Sequence, residues 1–409
     1  MRIFIAGIDG YLGWTLAQYA ASRGHEVGGA DTTFRRRWVE EMDSWSAIPI
    51  ASMDDRLLAF RDRYGCDLAF WNADLRDYSA VERMIAEFRP DAVVHLGECP
   101  SAPYSMIDVH HASWVQTNNI TSTFNLCFAI TSLCPDAHLL KLGTMGEYGT
   151  PNIDIPEGFF EVEYRGRVDR LPFPRQAGSW YHWSKVAGSN NIMMACKLYG
   201  LRATDVMQGV VFGTAIDEMS EDPRLRTRLD FDEAFGTAIN RFCCQAIIGH
   251  PITPYGEGHQ KRGFLPLRDS MQCLMLALQN PPDAGEYRVF NQFEEVYDIT
   301  ELAEKVERVA STLGLDPVVR NVSNPRRELE EHYYKPDHQK LLDLGYQPTQ
   351  DLAGEVEAML KDLAQVRDRI EARRAVLVPD IRWDGRREKM PFIGSRDELR
   401  AMPVAASHA

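Results

Sequence analysis

No stretch of this chain has the roughly 18 consecutive apolar residues that a membrane-spanning helix needs. Its opening MRIFIAGIDGY is apolar for only about five residues, too short for a signal peptide. Positive charge is scarce as well. Lys and Arg total 45 against 59 Asp and Glu, a net charge of −14, so no basic face is evident for nucleic acid. Metal-ligand pairs are missing: His110 and His111 are adjacent and diverge on a helix, and no Cys or His pair has a partner pair at ligand spacing. The eight cysteines lie in apolar contexts such as LCFAI and MMACKL, and Cys243-Cys244 cannot easily bridge on a helix. The expectation is reduced thiols, a cytoplasmic location, no membrane, no nucleic acid and no metal.

What remains is a soluble globular composition, 44% apolar and 25% charged, over 409 residues. RIFIA (2–6), HEVGGA (25–30), DLAFWNAD (67–74), DAVVHLG (91–97), AHLLKLG (137–143) and RATDVMQGVVFG (202–213) read as strands. Helical patterns such as YLGWTLAQYAASRG lie between most of them. Strand–helix alternation with continuously apolar strands predicts an α/β fold, a Rossmann-type doubly wound parallel sheet. Beyond residue 213 the alternation weakens. The expected division is a dinucleotide-binding domain over 1–213, a smaller α/β substrate-binding lobe over 214–370, and an arm and tail over 371–409.

The first strand runs into Gly7-Ile8-Asp9-Gly10-Tyr11-Leu12-Gly13, a G-x-x-G-x-x-G pattern opening a helix. Such glycines allow a tight turn, and the helix N-terminus can hold a pyrophosphate. Asp31 ends the second strand, where a carboxylate accepts both ribose hydroxyls and repels a 2′-phosphate, which favours NAD. Arg35, Arg36 and Arg37 follow it; they either welcome a 2′-phosphate or form a solvated helix face. Asp74 either bonds the adenine or caps the helix that starts near Tyr78.

In SWYHWSKVAGSNN, Tyr181 and Lys185 are four apart and share one helix face. An ammonium beside a phenol, together with a positive nicotinamide, lowers the phenol's pKa. The phenolate then removes a hydroxyl proton while hydride leaves. Thr144, at the strand end in KLGTMGEYGTP, is placed to bond the same substrate oxygen; its alternative is a strand-end cap. Glu147 is a candidate for taking a C5 proton or ordering a water, or else an ion pair holding its loop. His182 is a candidate acid for a leaving hydroxyl, or else packs in support of its neighbours. Met145 is read as an apolar wall beside the nicotinamide or sugar.

Together these residues resemble the extended short-chain dehydrogenase/reductase family, which includes the sugar-nucleotide epimerases and dehydratases. GTMGEYGTPNIDI, SAPYSMID, FGTAINRF and NPRRELEEHYY resemble its UDP-sulfoquinovose synthase branch, from residue 2 to roughly 370. The resemblance implies a tightly bound NAD, a Thr144, Tyr181 and Lys185 redox triad, a sugar-nucleotide substrate and a homodimer. It assigns Tyr11, Leu12, Leu75, Leu96, Gly97, Asn118, Lys185 and Gln208 to the cofactor along with the glycines, Asp31, Arg35 and Asp74. To the substrate it assigns Cys99, Ser101, Met106, Met145, Met207, Arg262, Arg326 and Tyr333.

Three departures stand out. Cys99-Pro100 replace the branch's Gln-Arg, Met207 replaces its Asn, and Pro266 replaces its Asp. If all three line one pocket, they imply an altered substrate or a shortened reaction. The sequence therefore favours a dehydratase that oxidises C4 of a hexose unit, eliminates water across C5–C6 and returns hydride to C4. It would act on a nucleotide sugar or hexose nucleoside, for instance in natural-product biosynthesis. The alternative is UDP-sulfoquinovose synthesis itself. A C4 epimerase and a non-catalytic NAD-binding module are further readings.

Overall fold

The structure, a computed structural model, describes residues 1–394 apart from 220, 330 and 331. Its strands are β1 (Arg2–Ala6), β2 (Glu26–Ala30), β3 (Ala69–Trp71), β4 (Ala92–His95), β5 (His138–Thr144), β6 (Phe159–Tyr164), β7 (Arg167–Pro172), β8 (Arg202–Gln208), β9 (Val210–Phe212), β10 (Lys261–Pro266), β11 (Tyr287–Gln292), β12 (Glu295–Asp298), β13 (Asn321–Val322) and β14 (Phe392–Gly394). Its principal helices are α1 (Tyr11–Ala21), α2 (Phe34–Glu41), α3 (Met53–Tyr64), α4 (Tyr78–Phe88), α5 (Ala102–Ser105), α6 (Val109–Leu133), α7 (Trp180–Tyr199), α8 (Ala238–Ile248), α9 (Leu267–Gln279), α10 (Ile299–Thr312), α11 (Gln339–Asp343) and α12 (Leu352–Ala364).

Seven strands form one sheet in the order β11-β8-β5-β4-β1-β2-β3, every neighbouring pair parallel. The strand side chains explain the two helical layers. On β1, Ile3 and Ile5 join a core with Trp14, Phe60 and Leu274, while Phe4 and Ala6 join the opposite core with Met84, Leu126 and Ile192. The chain turns to opposite sides of β1, toward β2 and toward β4. That is the switch point at which open parallel sheets bind ligands.

The segment read as one strand over 202–213 is two. Gly209 separates β8 from β9, and a Cβ there would lie 2.6 Å from the Gly263 carbonyl oxygen. Only glycine admits this approach, which lets β9 leave the main sheet and pair with β10. β12, β10 and β9 make the sheet of a second lobe, whose core joins α8, α10 and α12. The chain crosses residue 213 more than once in space. Both β11 and α9, which packs under α1 with Leu274 and Leu278, belong to the main layers. The arm is anchored over its described part: β14 pairs with β13, and Ile381 is 1% exposed. The tail from residue 395 lies outside the described residues.

Candidate active site

The carboxyl ends of the main strands and the second lobe enclose one cavity of about 600 Å3. The glycine loop forms its floor. Gly7 has φ +90°, and a Cβ there would sit 2.6 Å from the Gly97 nitrogen; on Gly13 it would sit 2.2 Å from the Gly7 carbonyl. Helix α1 begins at Gly10 with no side-chain cap and no acidic residue in its first turn. Its first N–H groups are left for an anion.

Asp31 accepts backbone N–H bonds from Asp9 (2.9 Å) and Thr33 (2.6 Å). Burial, then the neighbouring Asp9, pushes its carboxyl up to about 6. The arginine triplet divides, with Arg35 lining the cavity and Arg37 on the exposed helix face. Arg35 pairs with Asp230 at 2.7 Å and Arg36 with Asp9 at 2.6 Å, while the exposed Arg37 lies over Phe34. Asp74 faces the cavity, bound to Arg76 at 2.6 Å; Asp77, not Asp74, caps α4. Tyr11, Leu12, Leu75, Leu96, Gly97, Asn118 and Gln208 also line the cavity. Polar atoms of its lining that are buried without a partner include Gln208 Oε1, Glu98 Oε1, and one Nη1 each on Arg35 and Arg228. Such orphans are costly unless a ligand meets them, and a dinucleotide with hydroxyls, amide and pyrophosphate fits.

At the far end of the floor, Thr144, Met145, Tyr181, His182 and Lys185 line the same space. Thr144 also caps the turn after β5, its Oγ1 accepting the Gly146 N–H at 3.2 Å, so the cap is present in a residue that lines the cavity. Ser179 caps α7 and carries Tyr181 and Lys185 on the buried face. Lys185 Nζ donates to the Leu142 carbonyl at 2.6 Å and pairs with Glu98. This pairing explains a departure from expectation. The ammonium is 5.9 Å from the Tyr181 ring centre, yet burial, then Glu98 and Glu147, raise the phenol's pKa. With Lys185 paired to Glu98, lowering the phenol would fall to the positive charge of a bound nicotinamide.

Other expectations are corrected. Glu147 is fully buried beneath the loop, paired with Arg175 and 3.5 Å from Lys141, and it accepts a bond from Ser189; it does not line the cavity. His182 lines the cavity with Nδ1 2.8 Å from Ser179 Oγ. Burial, then Arg326 and Arg262, push its pKa down to about 3, so its resting form is a neutral imidazole. Cys99 and Met207 are fully buried and off the cavity wall. Ser101 caps α5 and donates to the Ala234 carbonyl; Met106 ends α5; Tyr333 is 42% exposed and bound to Asp154. None of these three lines the cavity. Of the three departures, only Pro100 reaches it; Pro266 is buried at the start of α9.

The second lobe supplies a cationic wall of Arg241, Arg262 and Arg326. Arg262 is held by Glu328 at 2.8 Å. Sequence reading missed Glu98, Arg228, Arg241 and Trp383. The one local signal was for Glu98, a carboxylate directly after the strand-end Leu96-Gly97. Among the described residues no cluster of His, Cys, Asp or Glu could hold a metal, and no helix is long and apolar enough to cross a membrane.

Comparisons place these observations. Residues 3–291 match the family described as NAD dependent epimerase/dehydratase. The UDP-sulfoquinovose synthase of Sulfolobus acidocaldarius is 46% identical over 384 residues, 94% of this chain and 98% of that one. The chloroplastic UDP-sulfoquinovose synthase of Spinacia oleracea is 44% identical over 382 residues, 93% of this chain and 79% of that one. Among solved structures, UDP-glucuronic acid 4-epimerase from Bacillus cereus superposes with a TM-score of 0.66 at 18% identity, covering 90% of this chain and 100% of that one; this likeness carries the fold alone. With its glycine-loop sheet, paired tyrosine and lysine and near-half identity to two synthases, the chain belongs to the NAD-dependent epimerase/dehydratase family and is an NAD-using enzyme of its sulfoquinovose synthase-like branch.

Proposed function

We propose that this enzyme makes UDP-sulfoquinovose from UDP-glucose and sulfite. The observation that carries this is the single cavity running from the glycine loop past Tyr181 to Arg241, Arg262 and Arg326, with only Pro100 of the three departures on its wall. The reading that favoured a shortened reaction required all three to face the substrate. The similarity to the two synthases supports the same choice.

When bound, NAD supplies the hydride acceptor, and later the donor, at C4. Tyr181 takes the C4 hydroxyl proton, Thr144 fixes that oxygen, and Lys185 with Leu142 and Glu98 fixes the phenol's surroundings. The resulting 4-ketone acidifies the C5 hydrogen. His182, neutral and facing the cavity, takes that proton and returns it to the departing 6-hydroxyl, which leaves as water. Hydrogensulfite then adds: its sulfur bonds C6, and its proton reaches C5 through His182. Tyr181 finally gives its proton back to the C4 oxygen.

A second reading, release of the 5,6-alkene itself, rests on Pro100, which brings neither charge nor donor to the cavity mouth. Incubation with UDP-glucose, with and without sulfite, followed by mass spectrometry, separates them. The first reading expects a sulfonated product only with sulfite. Loss of water alone in both arms would favour the second, and UDP-galactose or no turnover would contradict both. We further propose a cytoplasmic homodimer, paired through the α6–α7 face, where Phe124, Trp183, Met194 and Leu198 are exposed.

A further inference from the structure

The arm after residue 371 has no counterpart in the chemistry above, yet its Trp383 lines the cavity. Glu233 grips it: its carboxylate accepts the N–H groups of Asp380 and Ile381 at 3.0–3.2 Å. Ile381 sits in the apolar cluster with Cys99, Tyr104, Tyr181 and Phe235, behind the reacting end of the site. The Glu388 N–H donates to the Asp380 carbonyl at 2.8 Å and the Met390 N–H to that of Pro379 at 2.9 Å, so the arm doubles back on itself. β14 then pairs with β13, just before the segment that bears Arg326.

Between these anchors stands Trp383. Its backbone N–H donates to the Pro325 carbonyl at 2.9 Å, one residue from Arg326. The Arg326 guanidinium lies 5.4 Å from the Trp383 ring centre and 5.9 Å from that of Tyr255. Arg241 lies 4.7 Å from the Tyr255 ring. All four line the cavity, an alternation of cations and aromatic faces. Two donors in this stack are buried without a partner: the Trp383 indole Nε1–H and Arg241 Nε. Unmet donors beside two guanidiniums call for an anion with several acceptor oxygens.

We propose that the C-terminal arm completes the substrate site, Trp383 fixing Arg326 and donating its indole N–H to the diphosphate of the nucleotide sugar. The inference rests on the nucleotide-sugar reading above and gives the arm its function: it is a built wall of the diphosphate pocket. Arg326 alone could swing between the Glu328 side and the cavity; with a ring against its face it is held for bidentate contact, which lowers the cost of binding.

The test uses the full-length protein with UDP and, separately, uridine as calorimetric probes. Trp383→Phe keeps the ring over Arg326 and removes the N–H; Trp383→Ala removes both. Loss of one hydrogen bond to a charged group is expected to weaken UDP binding roughly tenfold in Trp383→Phe, and more in Trp383→Ala. Uridine, which lacks the diphosphate, is expected to bind all three proteins alike. In turnover the loss is expected in KM rather than kcat. UDP affinity that is the same in wild type and both variants overturns the inference, as does an equal loss for uridine, which marks a general disturbance of the pocket. A wild-type protein with no affinity for UDP overturns the nucleotide-sugar reading beneath it instead.

Discussion

A carboxylate that accepts ribose hydroxyls works only when ionised, and Asp31 has its pKa raised to about 6 by burial and by Asp9. NAD binding is therefore expected to weaken as pH falls below about 6, approaching tenfold per unit, as read by a fluorescence titration between pH 5 and 7.5. Affinity that is flat across this range would remove Asp31 from the ribose site. For folding the sign is opposite. A carboxyl raised from 3.8 is favoured protonated in the folded chain, so its contribution to stability is lost as pH rises from about 3.8 to about 6. At this scale the sequence was legible where chemistry is local. Glycine spacing and the Tyr181–Lys185 interval each lie within one turn or helix. It misled where neighbours in sequence part company. Met207 and Gln208 are adjacent on β8, so their side chains face opposite sides of the sheet. Gln208 lines the cavity and Met207 packs with Tyr148 and Phe173 behind it.

Among the elements, β5, α7 and β8 are joined by a buried charge cluster. Lys141 on β5 and Arg175 hold Glu147 and Asp205, with Ser189 on α7 bonded to both carboxylates. This cluster, not catalysis, accounts for Glu147. Glu147→Gln leaves Arg175 and Lys141 undercompensated and is expected to destabilise the fold by about 3 kcal/mol, measured by denaturant unfolding. The folded fraction is expected to keep its exchange of solvent hydrogen at C5. A stable variant that has lost that exchange would return Glu147 to the chemistry. The pattern of strands and helices was readable because the first strands of the main sheet, β1 and β2, are buried and apolar on both faces beyond their first residue. Two features were not. The split at Gly209 depends on how closely β10 approaches, and the return of β11 to the main sheet depends on a crossover through the second lobe. Arg228, Arg241 and Trp383 were hidden for the same reason, since only topology brings them to the cavity.

As a whole molecule the chain presents apolar side chains on one helical face. Phe124 on α6 and Trp183, Met194 and Leu198 on α7 are each 44–57% exposed, a patch that a second copy would cover. Light scattering is expected to give a dimer for the wild type and a monomer for Met194→Glu; a monomeric wild type would contradict the pairing. The two lobes share a single cavity, and every step assigned to it depends on C4 being oxidised and then reduced at the same atom. The most direct measurement uses UDP-glucose deuterated at C4, with sulfite, in ordinary water and in heavy water. The account predicts a sulfonated product that retains the C4 label and, in heavy water, gains deuterium at C5. Loss of the C4 label to solvent, or a product without solvent hydrogen at C5, would contradict it.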